Sequence, residues 1–126
     1  MVSALSRVLT PMNPEWSVPQ LQEHLARALS GEGPALSTNQ VRETVVDPRV
    51  ALVVRTSGST GNPKSVALAA AALLANARAT HAFLGAKSGE RWSLLLPTSH
   101  IAGLNVVIRA IELGTLPVSL NEHADY

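Results

Sequence analysis

The sequence predicts an α/β fold with helices layered on a sheet, and three observations carry that prediction. Val50-Ala51-Leu52-Val53-Val54 is apolar at every position, which suits a strand buried on both faces. Two stretches, 17–31 and 101–114, repeat apolar residues at helical spacing before a glycine stop. The succession over 91–120 reads strand, helix, strand at the lengths of a βαβ unit, which implies parallel pairing.

Taken in order, Met1 to Glu15 contains Pro11 and Pro14 and no long period, which suits an edge strand or an irregular lead-in. Ser17-Val18-Pro19-Gln20 then opens a helix, with Ser17 as N-cap and Gln20 placed for a capping box. Leu21, Leu25, Ala28 and Leu29 form its apolar stripe and Gly31 its stop. Gly33-Pro34 turns into Ala35-Leu36, a short strand, and Asp47-Pro48 marks the turn before Val50. Glu43, Asp47 and Arg49 read as a solvated face. Ser65 to Leu68 is a short strand, and Ala69 to Leu84 a helix whose apolar side holds Leu73, Leu74, Ala77, Phe83 and Leu84. Arg91 to Leu96 is a strand, and Ile101 to Leu113 a helix with a stripe of Ile101, Leu104, Val107, Ile108 and Ile111, closed by Gly114. Thr115 to Leu120 is the following strand, with Pro117 suggesting an edge or a bulge. His24 and His81 read as packing or surface residues.

A chain of 126 residues and 13.3 kDa forms a modest core, and the composition narrows its partners. Ten Lys plus Arg against nine Asp plus Glu leave a net charge of +1, too little to steer nucleic acid or an acidic membrane. At 3% aromatic residues there are few platforms for stacking bases. The absence of cysteine excludes a disulfide framework and thiolate metal sites. No apolar run reaches the roughly 18 residues of a membrane span, and no leader-like core follows Met1, so the chain is expected to be cytoplasmic.

The chemistry concentrates in Arg55 to Lys64, Arg-Thr-Ser-Gly-Ser-Thr-Gly-Asn-Pro-Lys. Gly58 and Gly61 let a ligand approach backbone amides. Thr56, Ser57, Ser59 and Thr60 supply short hydroxyl groups for phosphate oxygens, and Lys64 a mobile charge. The pattern is a near miss to the P-loop, because Pro63 stands where that motif requires glycine and has no N–H to donate. Lys64 also leads into a strand, where a P-loop lysine opens a helix. A glycine-rich turn between two strands is the expectation, with an empty surface turn as the alternative.

Thr56-Ser57-Gly58-Ser59-Thr60-Gly61-Asn62-Pro63-Lys64 resembles the signature loop of adenylate-forming enzymes, the superfamily of acyl-CoA synthetases, adenylation domains and luciferases. The resemblance implies that Thr56, Ser57, Ser59 and Thr60 bind the phosphates of ATP, that Gly58 and Gly61 are the flexible points and that Lys64 is the loop cation. Ser65 and Arg55 depart from residues common in the family.

A second segment lies beyond a strand end, where ligands of open α/β sheets collect. By position alone, His100 fits either a ligand-facing group or a cap for the helix at Ile101. Pro97-Thr98-Ser99-His100-Ile101-Ala102-Gly103 resembles the second conserved segment of the same superfamily, which implies that His100 lines the carboxylate and acyl-adenylate pocket. The run through Leu104 and Asn105 is similar to the branch that activates o-succinylbenzoate for menaquinone biosynthesis, and the compact lead-in resembles short actinobacterial versions.

The resemblance implies an AMP-forming acid–CoA ligase that uses ATP, Mg2+ and CoA on a small carboxylic acid, with no nucleic acid partner, and is compatible with a homo-oligomer. The later magnesium, ribose and adenylation-lysine segments of the family are not found within 1–126. The chain is therefore expected to be part of the large N-terminal AMP-binding domain and inactive alone. Two rival readings stand beside this one: an atypical nucleotide phosphotransferase or hydrolase, and a non-catalytic phosphate-binding module.

Overall fold

The computed structural model describes the backbone of residues 6–57 and 63–119, and their side chains save at 56, 57, 63 and 119. The chain divides into two compact units, Met1–Ala72 and Leu73–Tyr126.

The first unit is built on a five-stranded sheet. Its strands are β1 (Arg7–Pro11), β2 (Ala35–Ser37), β3 (Val45–Val46), β4 (Val50–Ser57) and β5 (Pro63–Ala69), in the spatial order β3-β1-β2-β4-β5. β1, β2 and β4 run parallel, with β3 and β5 antiparallel at the two edges. Helix α1 (Val18–Ser30) connects β1 to β2 and packs on β2 and β4. The expected capping box is present, and Leu21, Leu25, Ala28 and Leu29 are its buried residues. Gly31 takes φ 85°, the left-handed geometry that ends a helix at little cost only in glycine.

β1 lies inside the sheet, which corrects the reading of 1–15 as an edge strand or irregular lead-in. Pro11 is tolerated because it stands at the strand's last position, and the next amide, Met12 N–H, donates to the Ser37 carbonyl at 2.8 Å. The core around Leu9, Ala35 and Val53 is flanked by Val41, Val46 and Val50. At the β3–β4 turn, Asp47 accepts from the Arg49 backbone at 2.9 Å and pairs with its guanidinium through two 3.0 Å bonds. Those bonds hold the Asp47 carboxyl down to about 2. Both side chains face solvent, as the charge pattern implied.

One side chain ties these elements together. The Arg7 guanidinium donates from Nη1 to the Val50 carbonyl at 2.8 Å and from Nη2 to the Ala28 and Gly33 carbonyls, each at 2.6 Å. It thus joins the end of α1, the turn into β2 and the start of β4. Burial pushes its pKa below the ordinary value, though an arginine stays charged. The Ala28 carbonyl also belongs to the last turn of α1, where the helix dipole favours a cation.

The second unit holds helix α2 (Ala70–Leu84) from Leu73 onward, β6 (Ser93–Leu94), α3 (Ile101–Leu113) and β7 (Val118–Ser119). β6 and β7 pair in parallel, Ser93 with Val118 and Leu94 with Ser119, so the expected βαβ unit forms. Both strands are shorter than the apolar runs suggested, and Leu120 lies outside the described residues. In α3, Leu104, Val107 and Ile108 are buried as expected, while Ile101 and Ile111 are half-buried and Val106, Ala110 and Leu113 complete the face.

Helix α2 departs further from the expected stripe. Phe83 is 90% and Leu84 57% exposed, and the buried residues are Leu73, Ala77 and His81, four apart. His81 is therefore structural, at 4% exposure. Trp92 Nε1–H donates to His81 Nε2 at 2.9 Å, and His81 Nδ1 stands 3.0 Å from Glu112 Oε1. Since an indole can only donate, Nε2 must accept, and the ring proton sits on Nδ1, from which it is donated to Glu112. The Arg109 guanidinium lies 4.8 Å from the centre of the Trp92 ring, a cation–π contact. Trp92 in turn gives its carbonyl to Val118 N–H at 2.8 Å, tying β6 to β7.

Two expected outcomes check these anchors. Arg7→Met should lower the unfolding free energy by roughly 2 to 4 kcal/mol in urea titrations, because three carbonyls lose charge-assisted donors. Arg7→Lys should recover only part, since an ammonium lacks the planar fork. An unchanged midpoint for Arg7→Met would show that those carbonyls do not depend on it. In the second unit, nitrogen-15 spectra should show His81 protonated at Nδ1. Trp92→Phe, which removes the Nε2 donor, should cost about 1 to 2 kcal/mol; a proton found on Nε2 instead would contradict the network.

Candidate functional site

The two segments singled out by their residues occupy different elements. The first sits on the hairpin formed by β4 and β5. Their antiparallel ladder runs from Val54 with Val66, through Arg55 with Ser65 and Thr56 with Lys64, to Ser57 with Pro63. In sequence, residues 58–62 stand between the two strands. Thr56 and Ser57 are the last residues of β4, and Gly58, Ser59, Thr60 and Gly61 lie outside the described residues.

Lys64 is the second residue of a strand and not the first turn of a helix, so this is not P-loop geometry. The hairpin forms because both arms favour extended backbone. β4 is apolar from Ala51 to Val54, all four buried, while β5 lies at the sheet edge with an exposed outer run. Strand alternation sets the charges: Arg55 faces the same side as its partner Ser65, and Lys64, one residue earlier, faces the other. Both side chains are exposed. Arg55 is further fixed through its backbone N–H, which donates to Thr38 Oγ1 at 3.3 Å, and Thr38 N–H donates to the Val53 carbonyl at 3.0 Å. The hairpin thus carries a cation on each face, Arg55 at the end of the buried strand β4 and Lys64 on the exposed edge strand β5.

The second segment follows β6. Residues 95–100 leave the carboxyl end of that strand and turn into α3 with His100 as the N-cap residue. His100 has the extended backbone of a cap, φ −119° and ψ 152°, but its side chain makes no capping hydrogen bond. Backbone bonds flank the residue: His100 N–H donates to the Pro97 carbonyl at 3.3 Å, and its own carbonyl accepts the first helical bond of α3 from Leu104 N–H at 3.1 Å. The side-chain cap that the sequence left open is therefore excluded, and the exposed imidazole does not serve the helix end.

Gly103 closes the second family-like segment, and the sequence reading gave it no role of its own. It is buried in the first turn of α3, where alanine would be favoured by about 0.5–1 kcal/mol on helix propensity alone. A Cβ at this position would run into the Pro97 carbonyl oxygen, and would stand 2.7 Å from the Pro97 carbonyl carbon and 2.8 Å from the Leu96 carbonyl oxygen. The signal available in the sequence was a glycine inside an otherwise apolar helical pattern.

Lys64 belongs to the first unit and His100 to the second. Among the described residues no cluster of three or more His, Asp or Glu side chains could hold a metal ion, and no helix is long and apolar enough to cross a membrane.

Comparison with known proteins places this geometry in a family. The model of the AMP-binding enzyme family matches residues 4–124. A probable 2-succinylbenzoate–CoA ligase of Mycobacterium tuberculosis (strain CDC 1551 / Oshkosh) is 42% identical over 127 aligned positions, covering 100% of this chain and 30% of the relative. A 2-succinylbenzoate–CoA ligase of Enterococcus faecalis is 40% identical over 65 positions, 52% of this chain and 13% of that protein. This chain thus spans less than a third of the relatives it matches. Among solved structures, VinN in complex with 3-methylaspartate aligns with a TM-score of 0.50 and 19% identity, over 92% of this chain and 42% of that one, a likeness of fold alone. The α/β architecture, the loop-bearing hairpin and the family match over nearly the whole chain agree: this protein belongs to the AMP-binding enzyme family of adenylate-forming acyl-CoA synthetases.

Proposed function

We propose that this chain is the phosphate-loop part of an AMP-forming acid–CoA ligase, and that the acid is o-succinylbenzoate, activated in the cytoplasm for menaquinone biosynthesis. The observation that carries the reading is the hairpin. It presents a Gly/Ser/Thr-rich connection with Lys64 on a strand, in a chain 42% identical to a probable 2-succinylbenzoate–CoA ligase. In the complete ligase a carboxylate oxygen attacks the α-phosphorus of ATP, the bridge to the β-phosphorus breaks, and pyrophosphate leaves. The thiolate of CoA then attacks the acyl carbon and AMP departs.

In this reading Thr56, Ser57, Ser59 and Thr60 supply hydroxyl groups to the departing pyrophosphate, while Gly58 and Gly61 allow close backbone approach. Lys64 neutralises charge that grows as the bridge breaks. Its work is electrostatic and positional, with no proton transferred by the loop. Magnesium would accompany ATP as its counter-ion, and the described residues supply no cluster for it. His100, exposed and not used as a side-chain cap, lines the acid and acyl-adenylate pocket.

The test is a half-reaction analysis of the complete ligase. Lys64→Ala should reduce kcat for adenylation by roughly 30- to 1,000-fold, the loss of a charge-assisted contact of about 2 to 4 kcal/mol. The affinity for the acid and the capture of supplied acyl-AMP by CoA should change little, because the contact is made mainly in the transition state. His100→Ala should instead weaken discrimination between o-succinylbenzoate and a plain aromatic acid and impair both half-reactions. Release of ADP in place of AMP and pyrophosphate would overturn the ligase reading in favour of a phosphotransferase.

A further inference from the structure

We propose that Gly103 is the positioning residue for His100. By lacking a side chain it lets the 96–97 backbone rest on the first turn of α3, and that close approach fixes where the imidazole stands. The proposal rests on the reading of His100 as a pocket residue and adds how the fold holds it there.

Two observations converge on one carbonyl group. The Pro97 carbonyl accepts the His100 N–H at 3.3 Å, and it is also the group that a Cβ on Gly103 would strike. The Leu96 carbonyl is close behind, at 2.8 Å from the same Cβ position. Finally, the His100 imidazole makes no capping bond, so its placement comes from the backbone on either side of it. That backbone is held by Pro97 before it and by Leu104 N–H after it. The obstacle is rigid, because the colliding atoms are main chain and Pro97 has a fixed φ.

Restoring ordinary contact would require the 96–97 backbone to retreat by roughly 1 Å. Such a retreat lengthens a 3.3 Å hydrogen bond past the useful range and turns His100 relative to the helix. Displacement of a binding group by about 1 Å can cost on the order of 100-fold in a reaction step. A glycine retained against helix propensity, buried, and under a carbonyl that also anchors the neighbouring candidate residue is thereby accounted for by position. Filling that space would be felt first at His100.

The experiment is a double-mutant cycle in the complete ligase. Gly103→Ala should raise KM for o-succinylbenzoate on the order of 10- to 100-fold and blunt discrimination against a plain aromatic acid, with KM for ATP within about 2-fold of the parent. In the His100→Ala background the same substitution should have little further effect on acid selection. Pro97→Ala, which keeps the carbonyl but releases φ, should produce a smaller change of the same kind and carries the test if Gly103→Ala does not fold. A purely structural role predicts lowered thermal stability with acid selection intact, or equal effects in both backgrounds, and either result overturns the proposal. If His100→Ala itself leaves acid selection unchanged, the pocket reading of His100 fails, and the positioning role fails with it. An effect of His100→Ala without one of Gly103→Ala or Pro97→Ala removes only the positioning role.

Discussion

The first unit depends on a single half-buried cation shared among three carbonyls. Arg7 reaches Val50 at the start of β4, Ala28 in the last turn of α1 and Gly33 in the turn that follows. Each carbonyl would otherwise face a partly desolvated surface without a donor, and such orphaned groups are penalised more heavily than a made hydrogen bond is rewarded. Guanidinium is the side chain that can meet three acceptors at once from a planar, permanently charged head. The consequence reaches the candidate site through β4. A strand that begins at the Arg7 anchor and buries four successive residues ends at Thr56 and Ser57, the first residues of the candidate loop segment.

A similar logic runs the second unit, with a buried polar network in place of the cation. His81 accepts from Trp92 and faces Glu112, so both ring nitrogens are engaged and the tautomer is determined. Trp92, held by His81 and Arg109, leads directly into β6, and the residues beyond β6 lead to His100. His81 and His100 differ: the first is buried and engaged at both nitrogens, the second is exposed and makes no side-chain capping bond. In one unit an arginine side chain supplies donors, and in the other the absent side chain of Gly103 admits a carbonyl.

The difference between a hairpin and a P-loop has a chemical meaning. A P-loop lysine starts a helix, whose free amides and dipole contribute to holding phosphate. Lys64 lies in an antiparallel edge strand, which has no helix N-terminus and no helix dipole to offer. A loop mounted this way must draw on hydroxyl groups, on the amides of the connection itself and on flanking cations. Arg55 and Lys64 stand on opposite faces of the hairpin, a consequence of adjacent ladder positions.

Much of the architecture was determined locally and could be read in the chain. The capping box at Ser17 and Gln20, the stop at Gly31, the stripe from Leu21 to Leu29 and the buried run of β4 involve only near neighbours. The hairpin around the loop and the βαβ unit from β6 to β7 followed from the same kind of pattern. The tertiary structure decided the rest. β1 became an interior strand, although its own residues suit an edge equally well, because β2 and β3 pair on either side of it. β3 is two residues long, too short to carry a period. The buried side of α2 passes through His81 because Trp92 and Glu112 satisfy the ring, while Phe83, more apolar, is left in solvent. Gly103 looks like a flaw in a helix until the Pro97 carbonyl is seen above it. The sequence by itself determined what depends on a residue and those within a turn or a strand length of it. Partners distant along the chain decided which side is buried, which strand is interior and which missing atom matters, because burial and hydrogen bonding are properties of pairs.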